Sequence, residues 1–235
     1  DEILSNETMR RVLAMITDLD ELAASAGKTA ANGIIPNCTR YGEKAYRDII
    51  KCAVAPARSE TLAFNLWKKE LSKLNISTAE IVVTCTEEDA GLMQLMIQNW
   101  QRVLSTMILA KVEVKTPDQI STMIYNTSYQ VLFHKISTDS STVSDSLKIF
   151  TSDSDSNIFG FSDKEYDKIV DSVISTYSGD EKIKGCEKAE NYIMAKSVFL
   201  PVYNGSSYAV VNKGVEGLYF SPAFESVCMI SGGHV

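Results

Sequence analysis

Apolar positions recur at helical spacing from the start of the chain. Met9, Val12, Leu13 and Ile16 sit at i, i+3, i+4 and i+7, with Ser5 or Asn6 placed to cap them, which predicts a helix over 5–17. A second short helix is expected over 18–26, closed by Gly27 at C′. ANGIIPNCTRYG (31–42) reads as a loop broken by Gly33 and Pro36, and EKAYRDIIKCA (43–53) as a further helix. From Ser59 onward Ala63, Leu66, Trp67, Leu71 and Leu74 share one helical face. EIVVTCT (80–86) is a continuous apolar run, as in a strand covered on both faces. Helical period returns over 87–107, with Met93, Met96, Ile97, Trp100, Leu104 and Met107 inward. KVEVK (111–115) alternates as a strand, Thr116-Pro117 opens a helix, and 129–134 reads as a third strand.

The middle of the chain therefore runs strand, helix, strand, helix, strand, the order of an α/β layer with crossover connections. The segment after the third strand is unusual. Six of the seven residues 137–143 are Ser, Thr or Asp, directly after an apolar strand. FSDKEYDKIVDSVIS (161–175) then predicts a helix with a capping box from Ser162 to Glu165. A longer helix is expected over 180–197, weakened locally by Gly185. The tail reads as two strands around a turn at Asn204-Gly205 and a third short extended piece.

Composition narrows the function classes. The 235 residues suffice for a sizeable core, and a net charge of −7 argues against a nucleic-acid surface. The five cysteines, at 38, 52, 85, 186 and 228, form no CxxC pair and match no zinc spacing, so buried thiols are expected, with one disulfide possible. Two histidines, His134 and His234, leave little for a histidine-rich metal site, and neither metal nor cofactor is expected. No run of eighteen apolar residues suggests a membrane span. The chain opens at Asp1 and enters a helical pattern at once, so a longer parent chain is expected.

In this order the pieces resemble one family, the dipeptide/oligopeptide-type solute-binding proteins of bacterial ABC importers. ETMRRVLAMITDLDELAASAG (7–27), the loop over 31–42, the strand–helix unit over 84–124, FGFSDKEYDKIVDSV (159–173) and the stretch over 189–218 carry the likeness. The resemblance implies an α/β, periplasmic-binding-protein-like lobe with a mixed β-sheet flanked by helices. It implies that residues 1–235 form one lobe, the C-terminal one, with hinge-proximal segments near 1–6 and 217–223. An N-terminal lobe would lie elsewhere on the parent chain. Implied partners are short peptides and the permease subunits of an importer. Nucleic acid is not among them, and the protein is expected to be a monomer and not an enzyme. The implied location is extracytoplasmic, at the cell surface or in the periplasm, with a lipid anchor on the parent protein.

The resemblance also accounts for the polar loop. In the family that loop lies on the cleft, and its Asp meets the α-ammonium group of a peptide ligand. Asp139 falls on that position, with Ser137, Thr138 and Ser140 beside it, while Ile136 stands where the family has Trp and Ser140 where it has Tyr. A desolvated ammonium needs a carboxylate partner, so the chemistry suits a peptide. Read without the resemblance, Asp139 is an ordinary turn residue. Asp145 reads as a helix cap, the Met stripe as core, and the DSDS patch at 153–156 as solvated loop, since it lacks the Gly and the closing Glu of a calcium loop. An oligosaccharide or nickel-complex binder on the same scaffold is the nearest alternative. A small α/β hydrolase using His134 is more remote, because no G-x-S-x-G elbow is present.

Overall fold

The computed structural model describes residues 3–37, 39–51, 56–136, 142–205, 215–221 and 226–234, the last two stretches by backbone alone. Helix α1 (Glu7–Ile16) is capped by Asn6, whose side chain accepts from Thr8 N and Met9 N. Asn6 also donates 2.9 Å to Glu70, so the same residue that starts α1 ties it to a neighbouring helix. Asp18 caps α2 (Leu19–Ser25), and Gly27 takes the left-handed conformation (φ 65°) just beyond its end.

The helix expected over 43–53 is mostly absent. Arg40–Tyr41 (β1) and Lys44–Ala45 (β2) pair as a minimal hairpin, and of the described residues in this stretch only Tyr46–Ile49 (α3) are helical. Tertiary bonds override local propensity here: Tyr46 N–H donates to Thr39 O, and the Arg47 side chain is drawn onto Ile35 and Glu190.

Helix α4 (Glu60–Leu74) leads into β3 (Ala79–Cys85), and α5 (Ala90–Leu104) leads into β4 (Ile108–Val114). Pro117–Tyr125 (α6), with a Thr116/Gln119 capping box, precedes β5 (Val131–Leu132). The strand–helix–strand–helix–strand order is the one read from the sequence. The boundaries differ: β4 starts three residues before 111, and β5 keeps only two of the six residues 129–134. These strands form one parallel sheet in the order β4-β3-β5, with all seven residues of β3 in register with β4. Helices α1, α2, α4 and α5 pack with this sheet around Met9, Trp67, Ile81, Val83, Met93 and Trp100. Both indoles are satisfied, Trp67 on Met107 O (3.0 Å) and Trp100 on Thr17 Oγ1 (2.8 Å).

A second core is built from Ile35, Tyr46 and three helices, α7 (Val143–Lys148), α8 (Lys164–Ser175) and α9 (Asp180–Ala195). Two capping assignments change. Asp163, not Ser162, caps α8, accepting from Glu165 N and Tyr166 N, because the carboxylate is the stronger acceptor. Thr142 caps α7, and Asp145 sits one turn inside, bonded back to Thr142. The tail differs in part: the third extended piece is a strand as expected, but no strand precedes Asn204-Gly205 among the described residues. Tyr203 makes a single bridge to Ala30, and the antiparallel hairpin is Val215–Ser221 (β6) with Ser226–His234 (β7). A strand following Asn204-Gly205 would lie outside the described residues.

Glu190 is fully buried, and its partner is Arg47. Arg47 Nη1 donates 2.9 Å to Glu190 Oε2 and Nη2 bonds Oε1, while Arg47 Nε and Nη2 hold Ile35 O at 3.1 and 2.8 Å. Ile35 N–H donates 3.1 Å to Glu190 Oε1. Gly33 (φ 138°) packs so closely that a Cβ there would collide with Arg47 and Glu190. Glu190→Ala, which strands a buried guanidinium, should cost about 3–5 kcal/mol in chemical denaturation. The double variant Arg47→Met/Glu190→Leu should be more stable than Glu190→Ala.

Cys85 and Cys186 are free and buried, as expected of these cysteines. Burial raises both thiol pKa values, that of Cys186 to about 11. The unfolded thiol ionises near its ordinary 9.0 while the folded one keeps its proton. The Cys186 contribution is therefore complete below pH 9 and is lost as pH rises toward 11. Alkylation at pH 8 with peptide mapping should leave Cys85 and Cys186 unmodified in the folded protein and modify both in denaturant.

Candidate functional site

The chain leaves β3 toward β4 on one side and returns through β5 on the other. The carboxyl end of β3 is therefore a switch point, where open α/β sheets form their ligand crevices. A cleft of about 1810 Å³ opens there between the two cores. It exceeds the roughly 300–1,000 Å³ of most small-molecule pockets.

One wall comes from the parallel sheet. Phe133 N–H donates 2.9 Å to Thr84 O, which extends β5 by one ladder bond and points His134, Lys135 and Ile136 along the cleft edge. Glu88 and Asp89, just after β3, face the same space. Thr86 Oγ1 donates 2.8 Å to Asp89 and fixes that carboxylate. Among the described residues neither Glu88 nor Asp89 makes an ion pair. Tyr203 stands against Phe133 with ring centroids 6.2 Å apart. Burial first, then Asp89 and Glu88, push the Tyr203 phenol pKa upward.

The opposite wall is aromatic. Phe150, fully buried, stacks on Phe159 at 4.5 Å, and Phe199 meets both rings edge-on at 5.6 and 5.7 Å. Phe159 and Phe199 are half-buried and line the cleft. Asn157 shapes their loop: its Nδ2 donates to Thr151 O and Phe161 O, and its Oδ1 accepts from Phe159 N–H. Tyr129 stitches the two walls through a bond from its hydroxyl to Ile158 O. At the cleft margin Arg10 donates to Leu4 O and Ser5 O (2.9 Å each) and to Lys196 O (3.0 Å from Nη2), linking α1 to the end of α9.

Ile136 is half-buried on the cleft edge. Ser137, Thr138, Asp139 and Ser140 lie outside the described residues. The sheet wall therefore leads directly into the loop singled out from the sequence. His134 lies on the cleft edge. The Met stripe is core as expected, though Met93 and Met96 also reach the cleft floor. Glu88, Asp89, Phe159, Phe199 and Tyr203 were not singled out from the sequence. The two carboxylates carried a signal, since they follow the first strand of the βαβ run. The aromatics come from separate segments and carried none.

Among the described residues no group of three or more His, Cys, Asp and Glu is arranged to hold a metal ion, and no helix is long and apolar enough to cross a membrane.

No family model and no curated protein matches the chain. Solved structures do. The substrate-binding domain of an oligopeptide ABC transporter from Bacillus anthracis superposes with a TM-score of 0.81 at 16% identity, covering 98% of this chain and 46% of that one. The fold is that of ABC-transporter peptide-binding proteins. Listeria monocytogenes OppA bound to peptide matches at 0.77 and 19% identity, again over 98% and 46%. Haemophilus influenzae OppA in complex with RPPGFSPFR matches at 0.76 and 17%, over 97% and 46%. The chain thus spans less than half the length of these three structures. The first is the substrate-binding domain of a transporter, and the other two hold peptide.

His134 tests the electrostatics of the cleft. Withdrawal from water lowers its pKa, and Asp89 pulls the other way. NMR titration should place His134 below 6.5, and Asp89→Asn should lower it further.

Proposed function

We propose that this chain is the peptide-binding lobe of a two-lobe, extracytoplasmic solute-binding protein that serves an ABC importer. The observation that carries this reading is the large cleft at the β3 switch point, in a fold whose solved neighbours include binding proteins with peptide bound. On this reading the lobe makes and breaks no bond. It captures a short peptide against a second lobe, and hinge closure excludes water from the cleft. The hinge-proximal segments are 1–6 and 217–223. The permease partner, monomeric state and lipid anchor belong to the same proposal. So does the assignment of the ligand α-ammonium group to Asp139, with Ser137, Thr138 and Ser140 bonding the peptide backbone and Ile136 packing beside it.

The hydrolase reading is the more remote, since the solved neighbours are described by peptide binding and transport. An oligosaccharide would stack on Phe133 and Tyr203 and would not need a free amine.

Calorimetric titration of the two-lobe chain with short peptides, free and N-acetylated, separates these readings. Tight binding of the free pool should weaken at least about tenfold on acetylation, and to a similar degree for the free pool in Asp139→Ala. Equal binding of both pools, unchanged in the variant, would remove Asp139 from the site. No binding of either pool would overturn the peptide reading.

A further inference from the structure

The aromatic wall does more than complete the second core. Phe150 is fully buried and acts as backing, whereas Phe159 and Phe199 are half-buried and turn part of their rings into the cleft. Their edge-to-face contact at 5.7 Å leaves a corner between the rings in place of a flat stack. The corner is held in advance. Asn157 makes three bonds to its own loop, at 3.0, 2.7 and 3.2 Å, and Gly160 takes φ 60° to complete the turn. A preformed apolar corner loses little entropy on binding, so it can discriminate among side chains.

We infer that the Phe159–Phe199 corner is the pocket for one bulky apolar side chain, preferably aromatic, of a short cationic peptide. This rests on the peptide-binding reading and adds a selectivity to it. The occupant is read as part of a cationic peptide, not as a lipid tail or an apolar metabolite, because Glu88 and Asp89 in this cleft make no ion pair among the described residues, whereas its cations Arg10 and Arg40 are bonded to backbone carbonyls and Lys135 also has a partner. A ligand that buries an apolar group at one wall and presents positive charge to the other satisfies both walls.

The ligand of one structural neighbour, RPPGFSPFR, has this composition, with Arg at each end and two Phe. The test titrates the two-lobe chain calorimetrically with RPPGFSPFR and with RPPGASPAR, and separately with laurate. The Phe peptide should bind at least about tenfold more tightly, the scale of one aromatic side chain leaving water. In Phe159→Ala/Phe199→Ala that ratio should collapse to below about twofold. Because these rings also pack on the second core, Phe159→Leu/Phe199→Leu serves as the variant that keeps it filled. It should retain a reduced ratio.

Equal binding of the two peptides to the unmodified protein, or a ratio that survives in the alanine variant, would overturn this inference and leave the peptide function standing. Failure of both peptides to bind would overturn the function and the inference together. Laurate binding in their absence would reassign the corner to an apolar metabolite.

Discussion

A carboxylate with no exposed surface has to be matched, and the way Glu190 is matched governs the second half of this molecule. The side chain projects from the middle of α9 into a place where water cannot reach. Its two oxygens are met by Arg47 and by the backbone N–H of Ile35. Arg47 in turn holds Ile35 O, so one short loop is gripped by both of its peptide groups. The cost of withdrawing two charges from water is recovered only with this full set of bonds. The loop at 33–35 therefore has one position relative to α9. That loop lines the cleft, and α9 leads directly to Phe199 and Tyr203. The buried pair thus fixes the 33–35 loop on the second core, and with it part of the cleft lining.

The parallel sheet sets the other side. A central strand paired on both flanks has little freedom, and β3 is also buried along most of its length. Its carboxyl end can therefore present Glu88, Asp89 and the residues after β5 at fixed places. Two rigid supports facing each other across a gap make a cleft that persists without a ligand. Cross-links at its margins among the described residues include the Tyr129 bond to Ile158 O, the Arg10 bonds to Lys196 O, the Lys196–Glu7 ion pair and the Ala30–Tyr203 bridge.

Periodicity revealed the elements whose order depends on a single buried face. The helices over 7–16, 60–74, 90–104 and 180–195 and the order of the three parallel strands were legible in this way. Residues 43–53 were not, because their conformation depends on Glu190, which lies 143 residues from its partner Arg47. Local propensity favoured a helix, and Arg47 was captured by a tertiary partner instead. The capping of α8 failed for a smaller reason. Ser162 and Asp163 are adjacent candidates, and the pattern Ser-x-x-Glu does not register that a charged acceptor one position later wins. The strand order and the Met stripe were legible as layer and core, but not as a cleft floor. The aromatic wall was not legible either, since Phe150, Phe159 and Phe199 are brought together only by the packing of α7, α9 and the Asn157 loop.

That difference bears on how specificity is built on such a scaffold. Superposition with a TM-score of 0.81 at 16% identity means that the layers tolerate wide substitution, provided each buried face stays apolar. The cleft obeys a different constraint. Its floor shares Met93 and Met96 with the first core, but much of its rim comes from loops and strand ends, where a side chain can change without disturbing a layer. Ile136 occupies a place where the resemblance leads one to expect an aromatic ring, and aromatic surface is supplied across the cleft by Phe159 and Phe199. Rings therefore stand on both walls, Phe133 and Tyr203 on the sheet side and Phe159 and Phe199 on the helical side. A ligand whose apolar side chain must reach the helical wall lies differently from one gripped at the sheet edge. On the peptide reading proposed above, selectivity would depend on which of the two walls an apolar side chain of the ligand reaches.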